Sequence, residues 1–321
     1  MSDIVCRKTY QIMGGEFQFS CFPQTFLSKQ DVYELFDLAF AEVKRIEEKF
    51  TDFHSSYFSR INELAGVSPV SVDEETFYLI QESLRVSEMS NGVFDISFAS
   101  IGHLWRLHKE KKQILEKKTI EDHLRFINYK LIQVNDTDKT VYLPYKEMKI
   151  GLGGIGKGYA VDQVYSLFIK KGLSNFYING SGDIRVHSRV DAPRKWRIGI
   201  RNPLSKDPKK SVGVVQMDSG AIASSGGYIH NIDGDKFNNH IINPKTGTSA
   251  TDVIASTVIA EDAITADTTA TILMNLEIRR ALEYLNDHHL NGVIFCNAGK
   301  SYLSDSAMKN FGMTIETRRN S

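Results

Sequence analysis

The sequence predicts an α+β protein of two lobes, a mixed architecture of largely antiparallel sheets flanked by helices. Three observations carry this reading. Two long helical periodicities occupy the first hundred residues, short strand-like runs alternate with helices from Thr140 onward, and hairpin signals recur in that second part. With 321 residues, 41% of them hydrophobic, the chain has enough apolar surface for one large or two modest cores. No repeat, low-complexity tract or linker divides it, so 1–321 is read as a single domain whose lobes divide near 130–150.

The clearest element is a helix from Asp31 to Phe50, because Val32, Leu35, Phe36, Ala39, Val43, Ile46 and Phe50 recur at three- and four-residue spacing. Ser28, three residues before Asp31, is its N-cap candidate. A second helix, Glu74 to Ser90, buries Phe77, Ile80 and Leu84 and ends at Asn91-Gly92, which tolerate left-handed geometry. Lys109 to Lys118 reads as a charged, solvated stretch. Val141 to Ile150 reads as a strand, Tyr159 to Lys171 as a helix closed by Gly172, and Phe176 to Asn179 as a short strand. Asp233-Gly234 marks a hairpin within His230 to Ile242. Thr265 to Met274 begins a helix, and Gly292 to Leu303 is a hairpin around Asn297-Ala298-Gly299.

Charge excludes some functions. Lys and Arg total 39, as do Asp and Glu, and no block of one sign dominates, which argues against a nucleic-acid partner. Cys6, Cys21 and Cys296 lie far apart without a Cys-x-x-Cys pair, so neither a disulfide framework nor a zinc site is indicated. Nowhere do 18 apolar residues run together, so no membrane insertion is expected. Without a signal-peptide pattern the expected compartment is the cytoplasm, or an exported one if the chain is a processed form.

Gly151-Leu-Gly153-Gly154-Ile-Gly156-Lys157-Gly158 places five glycines and a lysine between an expected strand and an expected helix. Such a turn brings backbone N–H groups, a helix N-terminus and a cation to one place, and a phosphate-bearing ligand is the natural inference. It also matches a dinucleotide fingerprint, with Asp183 as the ribose acid, and a P-loop up to its last position, where Gly158 replaces the hydroxyl residue. Neither motif decides the matter. Asp267 and Thr271 stand four apart, so on a helix their oxygens share a face and suit a hard cation such as Mg²⁺, with a turn carbonyl to complete the site. On their own, Asp95 and Asp183 read as caps of their glycine turns, and His103, His288 and His289 as surface or core histidines.

Several segments together resemble the FAD:protein FMN transferase (ApbE-type) family. They are Ile12-Met-Gly-Gly15, Ser56-Tyr-Phe-Ser-Arg-Ile-Asn62, Gly92-Val-Phe-Asp95, the run from Leu152 to Asp162, Asn179-Gly-Ser-Gly-Asp183, Ser224-Ser-Gly226, His240-Ile-Ile-Asn-Pro244-Lys-Thr-Gly247 and Ala266-Asp-Thr-Thr-Ala-Thr271. They occur in the family's order across nearly the whole chain. The resemblance implies FAD between the lobes as substrate, magnesium on its pyrophosphate, and transfer of FMN to a threonine hydroxyl of an acceptor protein, a flavin-carrying redox protein or domain, with release of AMP. It implies metal ligation by the Gly154 carbonyl, Asp267 and Thr271, and flavin contacts at Met13, Phe53, Val93, Phe94, Asp95, Gly151, Lys157, His240 and Ile241. Aromatic and thioether groups suit an isoalloxazine ring and Lys157 suits a phosphate. His240, with a near-neutral ordinary pKa, is the candidate base for the acceptor hydroxyl, and Asp267 joins it in the catalytic set. Three positions depart from the family pattern: Gly15 for a threonine, Phe53 for a tyrosine, and Gly151 for an acid that opens the turn. The alternatives are a magnesium-dependent FAD pyrophosphatase and a non-catalytic FAD-binding protein.

Overall fold

A computed structural model describes residues 6–22, 24, 26–110, 116–191, 193–205, 207, 209–227, 243–247 and 252–310. In chain order its elements begin with β1 (Cys6–Ile12), β2 (Gly15–Cys21), α1 (Lys29–Phe50), α2 (Ser59–Glu63), β3 (Val70–Ser71), α3 (Glu74–Met89), α4 (Ala99–Glu110) and α5 (Lys117–Leu124). Next come β4 (Gln133–Asn135), β5 (Thr140–Tyr142), α6 (Gly156–Lys170), β6 (Phe176–Gly180), β7 (Asp183–His187), β8 (Trp196–Arg201), β9 (Ser211–Met217) and β10 (Gly220–Gly226). The chain continues through β11 (Val253–Ala260), α7 (Ala263–Met274), α8 (Ile278–Asp287), β12 (Asn291–Cys296), β13 (Ser301–Leu303) and α9 (Asp305–Asn310). The class is α+β, as expected. None of the described helices is long and apolar enough to cross a membrane.

Contacts divide the chain into two compact units, one drawn from Met1–Glu47, Ile155–Tyr228 and Asp252–Ser321, the other from Glu48–Gly154 and Ile229–Thr251. The first unit is built on an eight-stranded sheet in the order β1-β2-β6-β7-β10-β11-β12-β13, with every neighbouring pair antiparallel. The absence of parallel pairs here removes the βαβ unit that a dinucleotide fingerprint requires.

Both faces of this sheet are covered, which explains strands such as β11 that are buried almost throughout. On one face α1 lays Val32, Phe36, Ala39 and Val43, all buried, and Phe36 packs against Phe19 of β2 and Phe168 of α6. Reciprocal bonds between Ser28 and Asp31 fix the start of α1, the N–H of each reaching the other's side chain at 2.8 and 3.2 Å. α6 and α7 pack beside one another on the same sheet, and Ser256 of β11 donates to the Ala270 carbonyl of α7 at 2.8 Å. The other face holds a second core, where Ile198 and Ile200 of β8 and Val215 and Met217 of β9 meet Val186, Ile222, Ile259 and Phe295.

The second unit is mainly helical, with a three-stranded sheet β3-β5-β4. Two expectations fail here. The strand over Val141 to Ile150 stops at Tyr142, because Pro144 has no N–H for a ladder. Beyond it the backbone is satisfied by side chains: Asn62 accepts from the Ile150 N–H at 2.7 Å and donates to its carbonyl at 2.8 Å, while Ser100 takes the Lys149 N–H at 3.0 Å. Lys109 to Lys118 is not a uniform solvated stretch, since α4 and α5 claim its ends; residues 111–115 lie outside the described set. The expected hairpin over His230 to Ile242 lies outside it too. The remaining elements agree within three residues, with α6 beginning at Gly156, inside the glycine turn.

Candidate functional site

In the first unit two hairpin tips stand beside the start of α6. The β1–β2 turn consists of Met13 and Gly14, with φ of 53° and 73°, and the β6–β7 turn of Ser181 and Gly182, with φ of 58° and 106°. Met13 holds a left-handed backbone that an unbranched non-glycine residue adopts at a cost of order 1 kcal/mol or more, and its N–H donates to Glu47 Oε1 at 2.7 Å. The two tips touch: Ser181 N–H donates to the Glu16 carbonyl at 2.9 Å, and a Cβ on Gly15 would meet Ser181 Oγ at 2.0 Å. A side chain at position 15 would therefore require Ser181 to move, which fits the glycine found there. Met13 reaches the turn, its Cε 3.9 Å from where a Gly156 Cβ would stand.

The charges lie on α6, β7 and α7. Lys157 Nζ bonds Asp183 Oδ2 at 2.7 Å, and Gly158 N–H donates to Asp267 Oδ2 at 3.0 Å. The Asp183 side chain is 2% exposed and that of Lys157 31% exposed, so the carboxylate is sealed while part of the lysine side chain reaches the surface. Burial works against the Lys157 ammonium, but Asp183 and Asp267 outweigh it and hold its pKa above the usual lysine value. Burial raises the Asp183 carboxyl, with Lys157 opposing. Asp267 is pushed up to about 7 by burial first and then by the neighbouring Asp183 charge. Asp183 is thus not a turn cap, for the Gly182 N–H is taken by Asn179 Oδ1 at 2.8 Å.

Asp267 and Thr271 stand one turn apart in α7 as expected, Asp267 buried and Thr271 half-buried. Two buried carboxylates sharing one ammonium leave a local excess of negative charge, and the donors are hard oxygens. That chemistry fits Mg²⁺. Among the described residues no three His, Cys, Asp or Glu side chains cluster to hold a metal, so such an ion would rely on hydroxyl and carbonyl donors as well. Gly158 serves packing: a Cβ there would lie 2.6 Å from the Ala263 carbonyl oxygen. The P-loop hydroxyl is missing because α7 occupies its place.

Asp162 fixes α7. Its carboxylate accepts from Ala263 N–H at 2.9 Å and Ile264 N–H at 3.0 Å and pairs with Arg185, whose guanidinium lies 3.7 Å from the centre of the Tyr165 ring. Burial raises this carboxyl and Arg185 counters it. Sequence spacing gave no sign of this network, nor of the Lys157–Asp183 pair. Both depend on β6–β7 folding back over α6.

In the second unit the expected contacts take different forms. Phe53 is 71% exposed. Val93 and Phe94 are buried. Asp95 caps its turn, accepting from Ser97 N–H and Tyr129 N–H, both at 2.8 Å; burial raises its carboxyl, and these bonds oppose the rise. Gly151 N–H donates to the Ile96 carbonyl at 2.9 Å, and Gly154 is half-buried at the end of this unit. The Ser56-to-Asn62 motif is structural: Ser56 and Ser59 cap one another at the start of α2, and Asn62 grips Ile150 just before the glycine turn. His103, expected as a bystander, bonds Asp52 Oδ2 through Nε2 at 2.8 Å. His240 and Ile241 lie outside the described residues.

Residues 13–295 match the model of the ApbE family. The chain belongs to the ApbE family. This ApbE-family chain is an enzyme, a transferase. It is 26% identical over 287 residues to an FAD:protein FMN transferase of Chlamydia muridarum, spanning 88% of this chain and 85% of the relative. A FAD:protein FMN transferase of Vibrio cholerae is 27% identical over 252 residues, 75% of this chain and 74% of the relative. The crystal structure of the ApbE protein from Thermotoga maritima superposes with a TM-score of 0.85 at 25% identity, covering 95% of this chain and 99% of that one. The flavin transferase ApbE of Vibrio cholerae gives 0.80 at 21% identity over 96% and 99%, a likeness of fold alone.

Proposed function

We propose that this ApbE-family chain transfers the FMN half of FAD to a threonine hydroxyl of an acceptor protein, with magnesium, releasing AMP. One observation carries the reading: Lys157, paired with buried Asp183 and with part of its side chain exposed, stands on the first turn of α6 beside Asp267. Ile155 supplies no side-chain cap for that helix, so its dipole and the ammonium together favour an anion. Within the first unit, Met13 at the hairpin tip reaches the glycine turn, and its thioether suits an isoalloxazine ring. The acceptor is a flavin-carrying redox protein or domain in this reading.

Phosphoryl-type transfer needs positioning and charge neutralisation more than covalent help from the protein. The acceptor threonine oxygen attacks the FMN phosphorus, the P–O bond to the bridging oxygen breaks, and AMP leaves with that oxygen. The hydroxyl proton goes to a base, for which His240 is the candidate. Lys157 holds the charge of the pyrophosphate. Magnesium, when bound, would supply further neutralisation, held by Asp267 and Thr271 with the Gly154 carbonyl as the resemblance implies.

A ligand that binds only the folded state raises its melting temperature. FAD with magnesium should stabilise the protein more than FMN does, and Asp267→Ala should remove the magnesium-dependent part while keeping the fold. Equal stabilisation by FMN and FAD, indifferent to magnesium, would count against the site.

A further inference from the structure

The second unit contains a polar pair that the transfer chemistry leaves unused. Asp52 Oδ2 is bonded to His103 Nε2 at 2.8 Å, and the side chains are 15% and 25% exposed, so neither group is sealed in the core. Among the described residues the second oxygen of Asp52 has no hydrogen-bond partner. The loop that carries Asp52 is pinned, Ser56 Oγ donating to the Thr51 carbonyl at 2.6 Å, and His103 sits on α4. Asp52 also fills the space over the opening of the glycine turn: a Cβ on Gly151 would lie 3.0 Å from Asp52 Oδ2 and 3.1 Å from Ala99 Cβ. The carboxylate therefore stands where a side chain at 151 would project. The next residue, Phe53, exposes its ring.

We propose that Asp52, held by His103, accepts a hydrogen bond from an N–H or O–H donor on the FMN half of FAD. This inference rests on the flavin reading. A carboxylate repels phosphate but is a strong acceptor for an imide N–H or a ribityl hydroxyl. The FMN half carries both kinds of donor. An exposed aromatic ring beside the carboxylate suits the isoalloxazine, the larger of the two flat rings of FAD.

The test is titration of wild type, Asp52→Asn and Asp52→Ala with FAD, FMN and ADP in magnesium, with melting temperature read alongside. Both variants should weaken FAD and FMN about tenfold or more, the scale of a hydrogen bond to a charged group, and leave ADP within twofold. The double variant Asp52→Ala/Gly151→Asp, which returns a carboxylate to the same gap from the other side, should recover flavin affinity. FAD and FMN constants within twofold of wild type, ADP weakened in step with them, or a double variant no better than Asp52→Ala would each overturn the inference. A wild-type protein that binds no FAD would instead sink the flavin reading on which it stands.

Discussion

Replacing Asp162 by alanine should unfold the first unit far more readily, because three groups lose their partner at once. The Ala263 and Ile264 N–H groups at the start of α7, 2.9 and 3.0 Å from the carboxylate, are orphaned, and Arg185 is left charged beside Tyr165 with its side chain only 16% exposed. Breaking a buried ion pair from one side costs about 3–5 kcal/mol and losing a helix cap about 1 kcal/mol. These terms share one carboxylate and do not add fully, so the expected loss is about 4 kcal/mol. Asp162→Asn keeps one acceptor but turns an amide toward Arg185, and should lie between. The assay is urea unfolding followed by Trp196 fluorescence in a Trp105→Phe background, since the two tryptophans lie in different units. The Trp196 transition should move while that of Trp105, read in the converse Trp196→Phe background, stays put. A loss under about 1 kcal/mol would refute the assignment of Asp162 as the clamp on α7, since that is no more than an exposed ion pair contributes.

Gly158→Ala should lower the melting temperature, with about 1–3 kcal/mol lost, because the added methyl would stand 2.6 Å from the Ala263 carbonyl oxygen and force α6 from α7. Asp95 gives a pH dependence. Burial raises its folded carboxyl above the ordinary 3.8, so the folded state keeps its proton longer than the unfolded state does. Its contribution is complete below the unfolded pKa and fades as pH rises through the folded one. In melting curves taken in steps from pH 4 upward, Asp95→Asn should flatten that decline relative to wild type, and parallel curves would contradict it. His240→Asn should keep FAD affinity but slow transfer about a hundredfold, the scale of a lost general base. An unchanged initial rate would return His240 to a structural role.

Local chemistry was legible in the sequence and distant pairing was not. The period of Val32, Phe36, Ala39 and Val43 and the Ser28–Asp31 box marked α1 because each signal lies within one or two turns. Asp267 and Thr271 were readable as a pair for the same reason. Lys157 and Asp183 are 26 residues apart and meet only because β6 and β7 fold back over α6. The strand expected through Ile150 ends at Tyr142 before Pro144, and Asn62, 88 residues from Ile150, satisfies the backbone there in place of a ladder. Gly151 was visible as a missing acid, whereas the Asp52 carboxylate over the same spot became visible only in space.

The most direct measurement is intact-protein mass spectrometry of a threonine-bearing acceptor protein incubated with this chain, FAD and magnesium, with AMP quantified in the same reaction. The acceptor should gain the mass of one FMN through a phosphoester on threonine, AMP should appear in equal amount, and both should vanish with Asp267→Ala or a chelator. An unmodified acceptor alongside free FMN and AMP, or bound FAD that is never turned over, would contradict the proposed transfer.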